Sequence, residues 1–216
     1  MADFYTYAYV EDEPSQAILT EIIDYVNSQC PNRFDLHTGV PIITHGFGNL
    51  LKKTQSFLPA ATKGKGIRSI FLTDLDQKDS VQQIANEWFN IACLALLPEK
   101  FIFRIAVHEI ESWIIADING IANFLNVSPI NFVTSPDDLN DPKQFLFNVI
   151  RSKCRSAKFK DMLPQRGQSI GIDYNPQIVS FIKEKWDIQT AMANSPSLKR
   201  AVDCFIQRLS KMQDLD

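Results

Sequence analysis

Cysteine, histidine and glycine are all scarce in this 216-residue chain, with four, three and eight residues respectively. Cys30, Cys93, Cys154 and Cys204 are scattered with no CxxC pair, which excludes a zinc knuckle and a dense disulfide scaffold and fits a reducing cytoplasm. His37, His45 and His108 are too few for a His-rich metal centre, and the HExxH-like string that begins at His108 has Ser112 where its second histidine belongs. No GxSxG elbow and no Walker-type phosphate loop is present. The longest apolar run, 91–97, is far short of a membrane span, and the opening residues lack the basic-then-apolar order of a signal peptide. These absences point to a cytoplasmic chain with no membrane partner. Acid is missing locally as well: between Thr38 and Thr73 there is no Asp or Glu, although Lys52, Lys53, Lys63, Lys65 and Arg68 lie there.

What is present is a globular composition, 45% hydrophobic and 22% charged, with 22 basic against 25 acidic residues for a net charge of −3. Such a balance excludes a simple basic nucleic-acid coat. Apolar, β-branched runs at 4–10, 40–44, 67–73 and 101–107 read as strands, each followed by a helical pattern. In the first helix Ser15 is the expected cap, with Ile18, Leu19, Ile22, Ile23 and Val26 on one face. The second is expected at 50–58. The third has a Ser80 and Gln83 capping signature ahead of Val81, Ile84, Ala85, Trp88 and Phe89. A fourth helix is expected to run unbroken to about 125. This alternation predicts an α/β fold with a mostly parallel four-stranded sheet flanked by helices over 1–126. A helical extension over 127–216 is expected to pack on it, with helices near 143–153, 176–186 and 197–212.

Ligands of open parallel sheets bind outside the carboxyl ends of the strands. Acidic residues follow three of the four predicted strands: Glu11 after the first, Asp74 and Asp76 after the third, Glu109 and Glu111 after the fourth. Carboxylates gathered at one rim repel one another unless a cation intervenes, and oxygen-only ligands suit Mg²⁺ or Mn²⁺ rather than zinc. At about 100° per residue, the fourth helix places Glu111 and Asp117 on the apolar side with Trp113, Ile114 and Ile121, while Ser112, Asn119 and Asn123 fall opposite. A carboxylate on a core-facing stripe needs a partner, a shifted pKa or a metal. For Glu111 that partner is a metal or an arginine such as Arg104, or the side chain caps its own helix. Asp117 is a second candidate buried acid. The glycine pair Gly46 and Gly48 either serves turn geometry or lets backbone approach a phosphate.

The Glu at the end of the first strand and the Asp-Leu-Asp string Asp74 to Asp76 after the third resemble the TOPRIM domain of topoisomerases, primases and overcoming-lysogenisation-defect nucleases. The string from His108 through Glu109, Glu111, Ser112 and Trp113 to Asp117, with Asp141-Pro142-Lys143 and Ser195-Pro196-Ser197 later, resembles a narrower family of bacterial TOPRIM-like proteins. Members of that family are frequently encoded beside an ATPase and linked to anti-phage defence. The resemblance implies that Glu11 is the acid/base or a metal ligand, that Asp74 and Asp76 bind Mg²⁺, and that Glu111 completes the acidic site. One departure stands out: most TOPRIM sequences place Gly after the glutamate, and this chain has Asp12. Asp12 or Glu13 is an alternative ligand.

A metal rim of this kind suits phosphodiester cleavage. Lys52, Lys53, Lys63, Lys65 and Arg68 are the candidate nucleic-acid contacts. A second basic stretch, Arg151, Lys153, Arg155, Lys158, Lys160 and Arg166, has only Asp161 against it. Lys158 and Lys160 are candidate catalytic lysines. Three functions remain open: a Mg²⁺-dependent nuclease, a catalytically silent adaptor for an ATPase partner, and a hydrolase of nucleotides or small phosphate esters.

Overall fold

A computed structural model describes residues 5–63, 67–75, 78, 80–128 and 135–211. The chain divides into two compact units. One comprises Met1–Ala106 with Arg200–Asp216, the other Val107–Lys199. The second unit begins at 107 because the residues of the fourth predicted helix pack among the later helices.

The first unit is built on strands β1 (Thr6–Val10), β2 (Ile42–Ile43), β3 (Arg68–Asp74) and β4 (Phe101–Ala106). They form one all-parallel sheet in the order β2-β1-β3-β4. β3 and β4 are buried along nearly their whole length, which is why they read as unbroken apolar runs rather than alternating ones. β2 is an edge strand of two half-buried residues, shorter than the predicted 40–44. Helices α1 (Glu13–Gln29), α2 (Phe47–Thr62) and α3 (Val81–Phe89) connect the strands. A ring-rich core of Tyr9, Phe71, Trp88, Phe89, Phe101 and Phe103 lies among them, with the Phe71 and Phe101 rings stacked at 4.9 Å.

Local chemistry explains the helix limits. Asp12, not Ser15, caps α1: its Oδ1 accepts from Ser15 N–H at 3.0 Å, so an acidic residue satisfies an amide at the positive helix end. Ser80 caps α3 as the sequence predicts, accepting from Gln83 N–H at 3.2 Å. α2 continues four residues beyond 58, carrying Pro59 inside its last turns.

The second unit is helical: α4 (Glu111–Ile115), α5 (Ile118–Leu125), α6 (Pro142–Lys153), α7 (Tyr174–Lys185), α8 (Ile188–Asn194) and the start of α9 (Pro196–Ser210), which crosses the division. The single helix expected after the fourth strand is two, because Asp117 starts a new one. Its Oδ1 accepts from Gly120 N–H at 3.0 Å, and its Oδ2 accepts from Asp187 N–H at 3.0 Å, the residue that caps α8. All five residues of α4 are buried, Ser112 included, so the expected polar face does not exist there. Trp113 is fully buried and donates through Nε1 to Ser197 Oγ at 2.7 Å, while Asp137 accepts from the backbone and hydroxyl of Ser197 and from Ser195 Oγ. The Ser195 and Ser197 string thus anchors α9 to a buried indole. No helix among the described residues is long and apolar enough to cross a membrane.

Candidate functional site

Two carboxylate clusters arise, one in each unit. In the first unit β1 and β3 are neighbours with Tyr9 opposite Phe71, so the parallel register carries Glu11 and Thr73 to the same end of the sheet. Thr73 Oγ1 donates to Glu11 Oε1 in a short hydrogen bond, and Asp74 N–H approaches the same oxygen at 3.4 Å. Thr73 is buried, whereas Glu11 and Asp74 are half-buried. The turn carrying Glu11 is held from β2 as well: Thr44 N–H donates to Val10 O at 2.8 Å and Gly46 N–H to Glu11 O at 3.2 Å. Gly46 has φ +111, a conformation that favours glycine at the turn into α2. Asp12 is engaged as a helix cap, which gives a physical reason for an aspartate where the TOPRIM pattern has glycine. Asp76 lies outside the described residues.

In the second unit, the chain leaves β4 through His108, held at φ +62, and presents Glu109 and Glu111 to the first turn of α6. Asp141 caps that helix, accepting from Gln144 N–H at 2.7 Å, and Pro142 occupies a position that needs no donor. This leaves the Lys143 N–H pointing outward from the helix start, where it donates to Glu109 Oε2 at 3.0 Å. The Lys143 Nζ then stands 3.4 Å from Glu109 Oε1 and 3.4 Å from Glu111 Oε1. Tyr174 OH donates to the same Glu111 oxygen at 2.8 Å. Glu111 is 1% exposed, and its Oε2 is buried without a hydrogen-bond partner. Burial pushes the Glu111 pKa above the ordinary glutamate value; the Lys143 charge pulls it back in part, Glu109 adds to the rise, and Tyr174 opposes it.

The partner of Glu111 is therefore Lys143 with Tyr174, and not Arg104. The Lys143 ammonium stands between Glu109 and Glu111 and pairs with both. Among the described residues no group of three or more His, Cys, Asp or Glu is arranged to hold a metal ion. Asp117 is buried as expected, as the cap of α5 that also accepts from Asp187 N–H. A Cβ at Gly120 would collide with its carboxylate, which is why glycine stands there.

Among the described residues the basic side chains do not gather into one patch. Lys52 and Lys53 lie in the second turn of α2, beside Thr44, Asn49 and Ser56 in a groove of about 460 Å³ along β2. Lys63 follows the other end of that helix, and Arg68 opens β3 with its guanidinium over the Phe34 ring. Since α2 runs back from the carboxyl end of β2 to the amino end of β3, these two sit at the amino ends of the strands, away from Glu11. Lys65 lies outside the described residues. Lys160 Nζ donates to Ile150 O at 3.2 Å near the end of α6, and Lys158 lies over the Phe124 and Phe159 rings. Lys143, Tyr174 and Thr73 are the participants that residue-level reading passed over. The helix-start string Asp141-Pro142-Lys143 was the available signal for the first of them.

Fold and site together define an α/β protein with a four-stranded all-parallel sheet, consistent with a Rossmann-like arrangement, that carries paired carboxylates where two neighbouring strands end. The chain belongs to the family described as Domain of unknown function (DUF4276), whose model matches residues 14–205. That span includes Asp74, Glu109, Glu111 and Lys143, while β1 and Glu11 precede it. No curated protein and no solved structure matches the chain.

Proposed function

We propose that the chain is a Mg²⁺- or Mn²⁺-dependent phosphodiesterase of TOPRIM type that cleaves nucleic acid, with Glu11 and Asp74 as metal ligands and Asp76 as a third. One observation carries this reading: Glu11 and Asp74 stand side by side at the carboxyl ends of adjacent parallel strands, with the Asp74 amide 3.4 Å from the Glu11 carboxylate. The donor set fits the ion. Both donors are carboxylate oxygens, and Mg²⁺ keeps several waters while using one or two protein carboxylates. When bound, the metal supplies an activated water and charge neutralisation at a phosphate. The chain's own contribution is positioning. Thr73 and the Asp74 amide fix the rotamer of Glu11, Asp12 anchors the turn below it, and Lys52, Lys53, Asn49 and Ser56 offer donors to phosphate one strand away. The link to an ATPase partner and to anti-phage defence belongs to the same proposal and rests on the resemblance alone.

The test is cleavage of single- and double-stranded DNA and RNA by the purified chain in Mg²⁺ or Mn²⁺, alone and with the product of a neighbouring ATPase gene. Glu11→Gln and Asp74→Asn are expected to lower the rate by about 100-fold or more. Wild-type rates in both variants, or cleavage that persists in EDTA, overturn the proposal. Turnover of bis-p-nitrophenyl phosphate with no polynucleotide cleavage would move the substrate to small phosphate esters.

A further inference from the structure

The opposite edge of the sheet carries an unrelated feature. β4 is the terminal strand in the order β2-β1-β3-β4, and a groove of about 640 Å³ runs beside it within the first unit. That volume is in the range of small-molecule sites. Leu94, Leu97 and Phe103 give the groove an apolar side, and Arg104, Arg200, Arg208 and Lys211 line it with positive charge. The cationic side follows from the helical period: Arg200, Cys204, Arg208 and Lys211 recur at intervals of four, four and three, on one face of α9 and its end. Ala201, Val202, Phe205 and Leu209 are buried on the other face.

These cations are not neutralised from within. Arg104, Arg200 and Arg208 enter no ion pair among the described residues. Lys211 meets Glu99 at 3.4 Å, but both side chains are more than half exposed, where such a pair contributes little. Asp203 is the other acid in the lining, so four cations face two carboxylates. Moreover, the Arg104 Nε is buried with no hydrogen-bond partner. A buried donor left unmade is costly, and a planar guanidinium is matched best by an oxyanion that accepts two hydrogen bonds at once. Arg200 and Arg208 are about 12 Å apart along the helix axis, a spread that suits several negative charges on one molecule rather than a single carboxylate.

We infer that this groove binds a phosphorylated small molecule with an apolar or aromatic body, of nucleoside di- or triphosphate size. Its phosphates lie against Arg104, Arg200 and Arg208, and its body lies against Leu94, Leu97 and Phe103. The inference does not rest on the metal reading above, because no residue is shared between the two sites.

The experiment uses the full chain in EDTA, which removes any metal-dependent binding at Glu11 and Asp74. ADP, ATP and inorganic pyrophosphate are titrated by calorimetry and thermal shift, with adenosine and sodium chloride of matched ionic strength as controls. ADP or ATP is expected to bind and raise the melting temperature while adenosine does not. The variant carrying Arg200→Glu and Arg208→Glu, changes confined to the outward face of α9, is expected to weaken binding about tenfold or more. Glu11→Gln and Asp74→Asn are expected to bind as wild type. Bound nucleotide should also slow alkylation of Cys204 by N-ethylmaleimide, while Cys30, which does not line the groove, serves as the unprotected control. The inference is overturned by no binding of any phosphorylated probe, by an equal shift in sodium chloride, by binding insensitive to the paired Arg→Glu change, or by unchanged Cys204 labelling at saturating nucleotide.

Discussion

The two carboxylate clusters solve the same electrostatic problem in different ways. At the end of β1, Glu11 takes a hydroxyl from Thr73 and an amide from Asp74, and both acids remain half exposed. On α4, Glu111 is removed from water altogether, and Lys143 brings a full positive charge to it and to Glu109. Neutral donors such as the Thr73 hydroxyl and the Asp74 amide orient a carboxylate without cancelling its charge. An ammonium cancels charge and occupies space, so the second acts as a joint between α4, α6 and α7. Two acidic pairs that look alike in the sequence thus divide into a candidate chemical site and a structural ion pair.

The largest expected effect breaks the second cluster alone. Lys143→Met leaves Glu109 and Glu111 facing each other with no counter-charge, and an uncompensated buried charge of this kind costs about 3 kcal/mol. Urea unfolding at pH 7 measures it, and adding Glu111→Gln to Lys143→Met should restore most of the loss. Equal stability of wild type and Lys143→Met would show that the ion pair does not hold the joint. Next in size is the hydroxyl comparison. Tyr174→Phe removes the donor to a fully buried carboxyl and is expected to cost about 2 kcal/mol, whereas Glu11→Gln, which keeps an accepting oxygen at a half-exposed position, should cost about 0.5 kcal/mol. A larger loss in Glu11→Gln than in Tyr174→Phe would invert the comparison.

A third measurement separates the clusters by their response to metal. Mg²⁺ at tenfold above its dissociation constant should stabilise the wild type by about 1.4 kcal/mol. Glu11→Gln and Asp74→Asn should abolish that gain, and Glu109→Gln should keep it. Loss of the gain in Glu109→Gln would bring the second cluster into metal binding.

How far these clusters were legible in the sequence depends on the range of the interactions. Strand runs such as 67–73 and 101–107 announced themselves because both faces are buried, and the parallel sheet followed from their alternation with helices. Glu111 was visible as a charge on an apolar stripe, since helical period is a local property. Its partner was not, because Lys143 reaches it from 32 residues away and only the start of α6 aims it there. Asp117 was legible as a buried acid but not as a cap, because a capping aspartate and a mid-helix aspartate have the same neighbours in sequence, and the distinction lies in its bonds to the Gly120 and Asp187 amides. The basic residues of 38–73 looked like one patch because they are close along the chain, but α2 carries them to opposite ends of the strands.

The smallest effect concerns pH, and it distinguishes a buried acid held by an ammonium from an exposed one. Burial raises the Glu111 pKa in the folded chain above its unfolded value. Between those two values the folded state holds the extra proton, so stability falls as pH rises. The contribution of Glu111 is fully present below the ordinary glutamate range and is lost as pH climbs through the raised folded value, with a slope no steeper than about 1.4 kcal/mol per pH unit for one proton. Glu111→Gln removes the titrating group, so its stability should gain on that of the wild type between pH 4 and 7. In Lys143→Met the charge that holds the Glu111 pKa down is gone, so the same loss should extend to higher pH. Parallel stability curves for wild type and Glu111→Gln across that range would mean that Lys143 and Tyr174 offset the whole desolvation of the carboxylate, and that Glu111 is as fully ionised in the folded chain as an exposed glutamate.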